Sequence, residues 1–477
     1  MVQDINFKAE FQQRYDEIIS HLQDLIRIPS VAGEVAGEYP FGDQVHRAFM
    51  YMLDLGRSMG FSVKNVDNYG GHIDFPGEEE EVIGIVCHID VVPEGDGWSK
   101  DPFGGEIEDG WIYGRGTQDD KGATIISLYA MYILKEMGFR PKKTIRLILG
   151  LDEETDWKGI EYYLEKEAPP DFGIVPDGDF PLVQCEKGLL QFELQKKISA
   201  TASMDDRGVC YLASLAGGVA ANVVPGLAEA KISGDKNSLS EMAEALKRKA
   251  HEKGYPLDVM EDEGDLTIRL IGETAHGATP EKGWNAISML MDLISGVEFS
   301  NSQARELIDF YQKRIGFDLD GSRIGCGFSD ALSGQLTFNV GKIRFGEEGM
   351  SLLVDIRYPV TKSKEDVLSG IKPAIDEFGW EIVETDHIGS IFLDEEDPRL
   401  EILLEAYRSI SGDSETQPKI IGGATFARAL PNCIAFGPLF PGDPELEHEK
   451  DEGVSIAQLF KAGEIYAQVL YRLAGSD

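Results

Sequence analysis

Basic residues are scarce in this chain: 45 Lys and Arg stand against 84 Asp and Glu over 477 residues, a formal net charge of -39. A field of that sign repels nucleic-acid phosphates and anionic lipid headgroups alike, so neither a nucleic acid nor a membrane surface is expected as a partner. Long hydrophobic runs are missing too. No stretch approaches the roughly 20 uninterrupted apolar residues that a membrane span requires. The first residues, MVQDINFKAEFQQRYDEIISHLQDLI, place Phe7, Phe11, Tyr15, Ile18, Ile19, Leu22, Leu25 and Ile26 at helical spacing, which reads as an amphipathic helix and not as a signal peptide. Cysteine is sparse: Cys87, Cys185, Cys210, Cys326 and Cys433 form no Cys-x-x-Cys pair, which argues against a thiolate zinc site or a disulfide framework. The expectation is a soluble, cytoplasmic protein. With 42% hydrophobic residues there is still ample material for a large core, and the length suggests two or three domains.

What is present is organised. VIGIVCHIDVV (82–92) and TIRLILGL (144–151) are near-continuous apolar runs, with FGIVPD (172–177) and CIAFGP (433–438) as shorter relatives. Such runs mark strands buried on both faces of a parallel sheet. Between the first two lies ATIISLYAMYILKEMG (123–138), a helix ending at Gly138, so strand, helix and strand make a crossover unit of α/β type. From about Leu189 the texture changes to alternating segments such as LLQFELQKKIS and helices such as LSEMAEALKRKAHEKG (239–254). The stretch 334–359 reads as a hairpin around GEEG. After Trp380 buried-strand character returns, and VSIAQLFKAGEIYAQVLYRLAG (454–475) closes the chain as a helix. The division expected is a discontinuous α/β domain, 1–188 with 383–477, and an inserted α+β domain, 189–382, long enough for two subdomains.

Acids and histidines fall where these strands end. His88 and Asp90 close the first, Asp152, Glu153 and Glu154 the second, and Asp177 the third. Ligands of open α/β sheets collect at the carboxyl ends of the strands. Several acids gathered at one edge repel each other unless a cation holds them, so the pattern asks for a metal. Each feature alone has an ordinary structural reading. A strand-end His is commonly a hydrogen-bonded structural residue, a Glu-Glu pair suits a helix N-terminus, Asp119 and Asp120 could cap the helix that follows, and Asp177 could serve a turn. Their occurrence in one order outweighs those readings.

That order, with the motifs CHIDVVPEGDGW, GRGTQDDKGA, GLDEETDWKG, VPDGDFP and ETAHGATP and the late His448, resembles the M20 family of dinuclear metallopeptidases over nearly the whole chain. Within that family it is most similar to the PepV-like dipeptidases of bacteria. Cys87 and Ala123 depart from the common pattern without touching a ligand position. The resemblance implies a mostly parallel-sheet zinc-peptidase catalytic domain carrying a large inserted α+β lid. It implies that His88 and Asp177 hold one metal, Glu154 and His448 the other, and Asp119 both, with two Zn²⁺ expected and Mn²⁺ or Co²⁺ as alternatives. Asp90 is implied to orient the His88 ring, Glu153 to act as general base, and the Asp119–Asp120 peptide to be cis.

In the insertion the resemblance assigns His276 to the oxyanion of the tetrahedral intermediate and Arg357 to the substrate's C-terminal carboxylate. Asn222, Gly423 and Thr425 would add polar contacts. By residue type alone, His276 could be a loop histidine packed on Pro280 and Arg357 an ordinary strand arginine facing solvent. The implied activity is hydrolysis of short, unblocked peptides, with β-alanyl-histidine types left open. The alternative within the family is an N-acyl amino acid amidohydrolase of desuccinylase or deacetylase type, which needs the same metals and base. Lid length favours the dipeptidase branch. A doubled lid also implies a monomer in which His276 acts in cis.

Overall fold

The computed structural model describes residues 5–197, 210–262, 264–393, 396–421, 426–430 and 432–475. The chain divides into two units: Met1–Gln184 with Leu393–Ile420 and Ala424–Asp477, and Cys185–Phe392 with Ile421–Gly423.

In the first unit the apolar runs Val82–His88 and Thr144–Gly150 are parallel neighbours, each buried along most of its length. Phe172–Val175 pairs in parallel on the other side of Val82–His88, and Cys433–Ala435 pairs in parallel with it in turn. Burial on both faces explains why these strands lack polar alternation. Antiparallel strands Gly70–Phe75 and Ser62–Val66 extend the Thr144–Gly150 side, completing a mixed six-stranded sheet. The outermost strand, SVKNV, is largely exposed, and it carries no apolar run by which to read it from sequence.

Helix Lys121–Glu136 is the crossover between the two longest parallel strands and is buried on nearly every side. It packs against the closing helix Ile456–Gly475 and against the N-terminal segment. That segment is two helices, Phe7–Gln13 and Tyr15–Ile26, where one was expected. The break is at Arg14, whose φ of -102° and ψ of 16° leave the helical region, while its guanidinium turns back 2.7 Å from the Glu10 carboxylate. The apolar stripe is continuous across the break because both pieces bury the same core face. Among the described residues no helix is long and apolar enough to cross a membrane.

The second unit is built on one eight-stranded antiparallel sheet. Its order is Leu257–Asp262, Asp265–Ile271, Leu227–Gly234, Cys210–Gly217, Thr337–Gly346, Gly349–Tyr358, Gly188–Lys196 and Glu381–Ile388. Helices Lys236–Lys253, Ala286–Ile294, Ser302–Arg314 and Lys364–Phe378 share one hydrophobic core with the sheet. The hairpin read around GEEG is present as Thr337–Gly346 and Gly349–Tyr358. The helix read from LSEMAEALKRKAHEKG starts earlier, at Lys236, because the Asp235 side chain caps Asn237 and Ser238. Gly254, at a φ of 71°, ends it in the left-handed conformation that glycine adopts most readily.

Candidate active site

The carboxyl ends of the parallel strands in the first unit carry a cluster of acids and histidines. His88 is the last residue of its strand. Its Nε2 lies 2.8 Å from Asp119 Oδ1, and the other Asp119 oxygen lies 3.2 Å from His448 Nε2. His448 Nε2 is also 3.1 Å from Glu154 Oε1. One group of possible ligand atoms comprises His88, Glu153 and Asp177, and a second comprises Asp119, Glu154 and His448; within each group the atoms lie within 4.8 Å of one another. Nitrogen and carboxylate oxygen donors in each group fit a divalent ion of the zinc or manganese type.

Local structure explains how these side chains reach one place. The Asp119–Asp120 peptide is cis, as the family resemblance implies. Asp120 precedes helix Lys121–Glu136 but makes no capping bond to it. Its Oδ2 accepts instead from the His88 backbone N–H at 3.2 Å. Glu153 and Glu154 sit in the turn after Thr144–Gly150, ahead of the helix that starts at Lys158, so they are not a helix N-terminal pair. Asp90 holds that turn: Oδ1 accepts from Glu153 N at 3.2 Å and Oδ2 from Glu154 N at 3.1 Å. Trp157 Nε1 donates to the Glu153 carbonyl, and Asp152 accepts from Gly159 N. The His88 Nδ1 contact at 3.0 Å is with the Asp90 carbonyl, and the Asp90 carboxylate is farther off at 3.5 Å. Asp90 therefore orients the ring mainly through its backbone, while its side chain grips the two glutamates.

The electrostatics are those of a site with surplus negative charge. Burial raises the pKa of Glu153 well above the usual carboxylate value, and the neighbouring Asp177 raises it further. Glu154 is raised by burial as well, against the opposing pull of His448. Asp119 also loses solvation, but His88 and His448 outweigh that and hold it far below its ordinary value. Hydrogen bonds to Asp119 and then Glu154 lift His448 to about 10. Burial works against a charged His88, yet Asp119 and Asp90 push its pKa up strongly. Bound protons or a bound cation are the two ways to balance such a cluster.

In the second unit Asn222 and His276 are neighbours on two bridged loops, with Val223 paired to His276 and Gly277 N donating to the Asn222 carbonyl at 2.7 Å. Buried Asn339 fixes the first loop by donating to the carbonyls of Ala221 and Val223. His276 is exposed rather than packed away, and its Nδ1 accepts from Ala278 N at 3.1 Å, so the neutral ring carries its hydrogen on Nε2. Partial desolvation and then the charge of Arg357 lower its pKa. Arg357 does not face solvent as a simple strand arginine would. It is 3% exposed, with Nε and Nη2 donating to the two oxygens of Asp355 at 2.8 and 3.0 Å. Gly423 and Thr425 lie outside the described residues.

Several residues escaped the sequence reading. Glu452 is wholly buried, four positions beyond His448, and accepts hydrogen bonds from the backbone of Gly116, Gln118 and Asp119 as well as from Arg115. Burial first, then the nearby Asp119 charge, push its pKa up to about 7. The available signal was an acid set directly against the apolar run GVSIAQLF, where a solvated charge is out of place. Lys121, from the DDKG motif, is buried with its ammonium on the carbonyls of Leu25 and Ile28, and desolvation lowers its pKa to about 7. Asp355 had no signal beyond its place two residues before Arg357.

The sequence matches a family profile over most of its length. Residues 84–472 match peptidase family M20/M25/M40, and the chain belongs to that family. Among curated relatives, the Bacillus subtilis (strain 168) protein named "Putative dipeptidase YtjP" is 36% identical over 475 residues, covering 98% of this chain and all of that one. Among solved structures, the dipeptidase Dug1p of Saccharomyces cerevisiae superposes with a TM-score of 0.57 at 13% identity, covering 98% of each chain. Human carnosine dipeptidase 1 gives 0.56 at 13% identity with the same coverage. At such identity these structures establish the shared fold.

Proposed function

We propose that this chain is a dinuclear metal-dependent dipeptidase that hydrolyses short peptides with a free amino end. The observation that carries the reading is Asp119, whose two carboxylate oxygens face His88 and His448 separately at 2.8 and 3.2 Å. A carboxylate with one oxygen toward each histidine suits a residue that would serve two ions at once. In this reading His88 and Asp177 hold one ion, Glu154 and His448 the other, and Asp119 both; zinc matches the donors best, with Mn²⁺ or Co²⁺ as alternatives. Two such ions supply Lewis-acid polarisation of the scissile carbonyl and an activated water.

Glu153 takes the proton from the attacking water and returns it to the leaving amine. Its carboxylate lies with the His88 and Asp177 donor atoms, within 4.8 Å of them, where a group that carries a proton between two steps would stand. Asp90 keeps Glu153 and Glu154 in place through their backbone amides. In the second unit, His276 donates from Nε2 to the developing oxyanion. Arg357 receives the substrate's terminal carboxylate, for which a planar guanidinium is well shaped. Asn222, Gly423 and Thr425 add polar contacts. The relatives named as dipeptidases support the substrate class. The functional species is a monomer in which His276 serves its own chain.

The deciding experiment is a screen of free and N-acylated dipeptides after chelation and add-back of single metals. Turnover of free dipeptides restored by Zn²⁺, Mn²⁺ or Co²⁺ is expected. Preference for N-acyl amino acids would replace the reading with the amidohydrolase one, and full activity after exhaustive chelation would remove the metals from it.

A further inference from the structure

Two residues that the mechanism leaves unused grip each other's loops across the site. Gln118, directly before Asp119, reaches the loop that leads to His448: its Oε1 accepts from Leu446 N at 2.7 Å and Glu447 N at 2.9 Å, and its Nε2 donates to the Pro444 carbonyl at 3.2 Å. Glu452, after His448, reaches back in the opposite direction. Its Oε1 accepts from Gln118 N at 2.8 Å, Gly116 N at 3.1 Å and Asp119 N at 3.2 Å, while Oε2 takes Gly116 N at 3.0 Å and Arg115 Nη1 at 2.6 Å. Each side chain binds backbone flanking the other's functional neighbour.

We propose that Gln118 and Glu452 are positioning residues, a reciprocal clasp that sets the spacing of Asp119 and His448 and so the affinity of the site for its metals. Three physical points support it. First, both side chains are shielded from water, with Gln118 8% exposed and Glu452 not exposed at all, so their bonds to the loops do not compete with solvent. Second, the bonds fall on the residues beside the two functional side chains, Asp119 itself and Glu447, where a small backbone shift moves a ligand atom by a comparable amount. Third, Arg115 balances the Glu452 charge, and its guanidinium stacks 5.4 Å from the Trp98 ring, which anchors the clasp to the loop after Val82–His88. His448 has a φ of 64°, a conformation uncommon for a side-chain-bearing residue and therefore dependent on its surroundings. Outer partners of this kind commonly change metal affinity or activity by 10–100-fold when altered.

The inference rests on the proposed metal site, and the test separates the two. Zn²⁺ or Mn²⁺ binding is measured by equilibrium dialysis on chelated wild type, Gln118→Met, Glu452→Gln, Glu452→Asp and the double variant Gln118→Met/Glu452→Gln, with thermal unfolding of each protein after chelation. Asp74→Asn, which breaks the ion pair with Arg146 in the same unit, is the control for general destabilisation. The expected result is a metal affinity lowered about 10–100-fold in each single clasp variant, less than multiplicative loss in the double, and unchanged affinity in Asp74→Asn despite a lower melting temperature. Glu452→Asp keeps the charge opposite Arg115 while withdrawing the carboxylate from the amides, so it is expected to fold and still bind metal weakly. Folded clasp variants that bind metal like wild type would overturn the clasp and leave the metal site standing. Clasp variants that stay unfolded even at saturating metal would show a folding role and overturn it as well. Wild type that takes up no metal would overturn both.

Discussion

The Asp119 carboxylate meets His448 at 3.2 Å through one oxygen while the other stays 2.8 Å from His88. Removing it therefore strips both histidines of their shared partner. Asp119→Ala is expected to abolish activity and to lower bound metal toward zero. Retention of two ions per chain, counted by elemental analysis, would end the bridging assignment.

Glu153 and Glu154 are adjacent, yet they face different partners. Glu154 is hydrogen-bonded to His448, whereas Glu153 groups with His88 and Asp177. Glu153→Gln is expected to retain both metals with kcat lower by roughly 10²–10⁴, the usual worth of a general base. Glu154→Gln is expected to lose a metal. Metal loss in the Glu153 variant would make that residue a ligand, which its place among the donor atoms permits.

Away from the site, His72 is buried against Tyr163, and burial followed by the Arg146 charge lowers its pKa to about 4. An unfolded histidine titrates near 6.5. Between those values the unfolded chain binds a proton that the folded chain refuses, so stability falls as the pH drops from about 6.5 to about 4. The full effect is about 3 kcal/mol. Urea unfolding across that window should show a shallower acid slope for His72→Gln than for wild type; equal slopes would remove His72 from the acid response.

Arg357 and Asp355 form a buried pair, so removing the cation leaves a buried carboxylate whose charge is no longer balanced, with the neutral Gln191 amide still donating to it. Arg357→Ala is expected to cost about 3–5 kcal/mol of stability. Arg357→Lys keeps the charge but not the fork of donors, and should raise KM for dipeptides at least tenfold if the residue receives the terminal carboxylate. An unchanged KM in the folded Lys variant would confine Arg357 to a structural role.

A monomer with His276 acting in cis has specific activity independent of protein concentration. Mixing His276→Ala chains with Glu153→Gln chains should then recover nothing. Recovered activity would mean that subunits share their sites.

The sequence by itself determined the parallel strands Val82–His88 and Thr144–Gly150, because a strand covered on both faces must be apolar along its length. By the same contrast it made the acids and histidine at the strand ends, His88, Glu153, Glu154 and Asp177, conspicuous, whereas Asp119 and His448, which end no apolar run, were marked only by their motifs and the family resemblance those motifs carry. It had no means to show the exposed edge strand Ser62–Val66, whose residues have no periodic burial to betray them, nor the break at Arg14, which leaves the apolar spacing intact. Only the tertiary structure decided that the Asp90 side chain grips two glutamate amides, that Asp355 holds Arg357, and that Gln118 and Glu452 cross between loops. Those bonds run to backbone N–H groups or to partners brought near by folding. Because every non-proline residue offers the same backbone donor, the residue on the receiving side leaves no mark in the sequence.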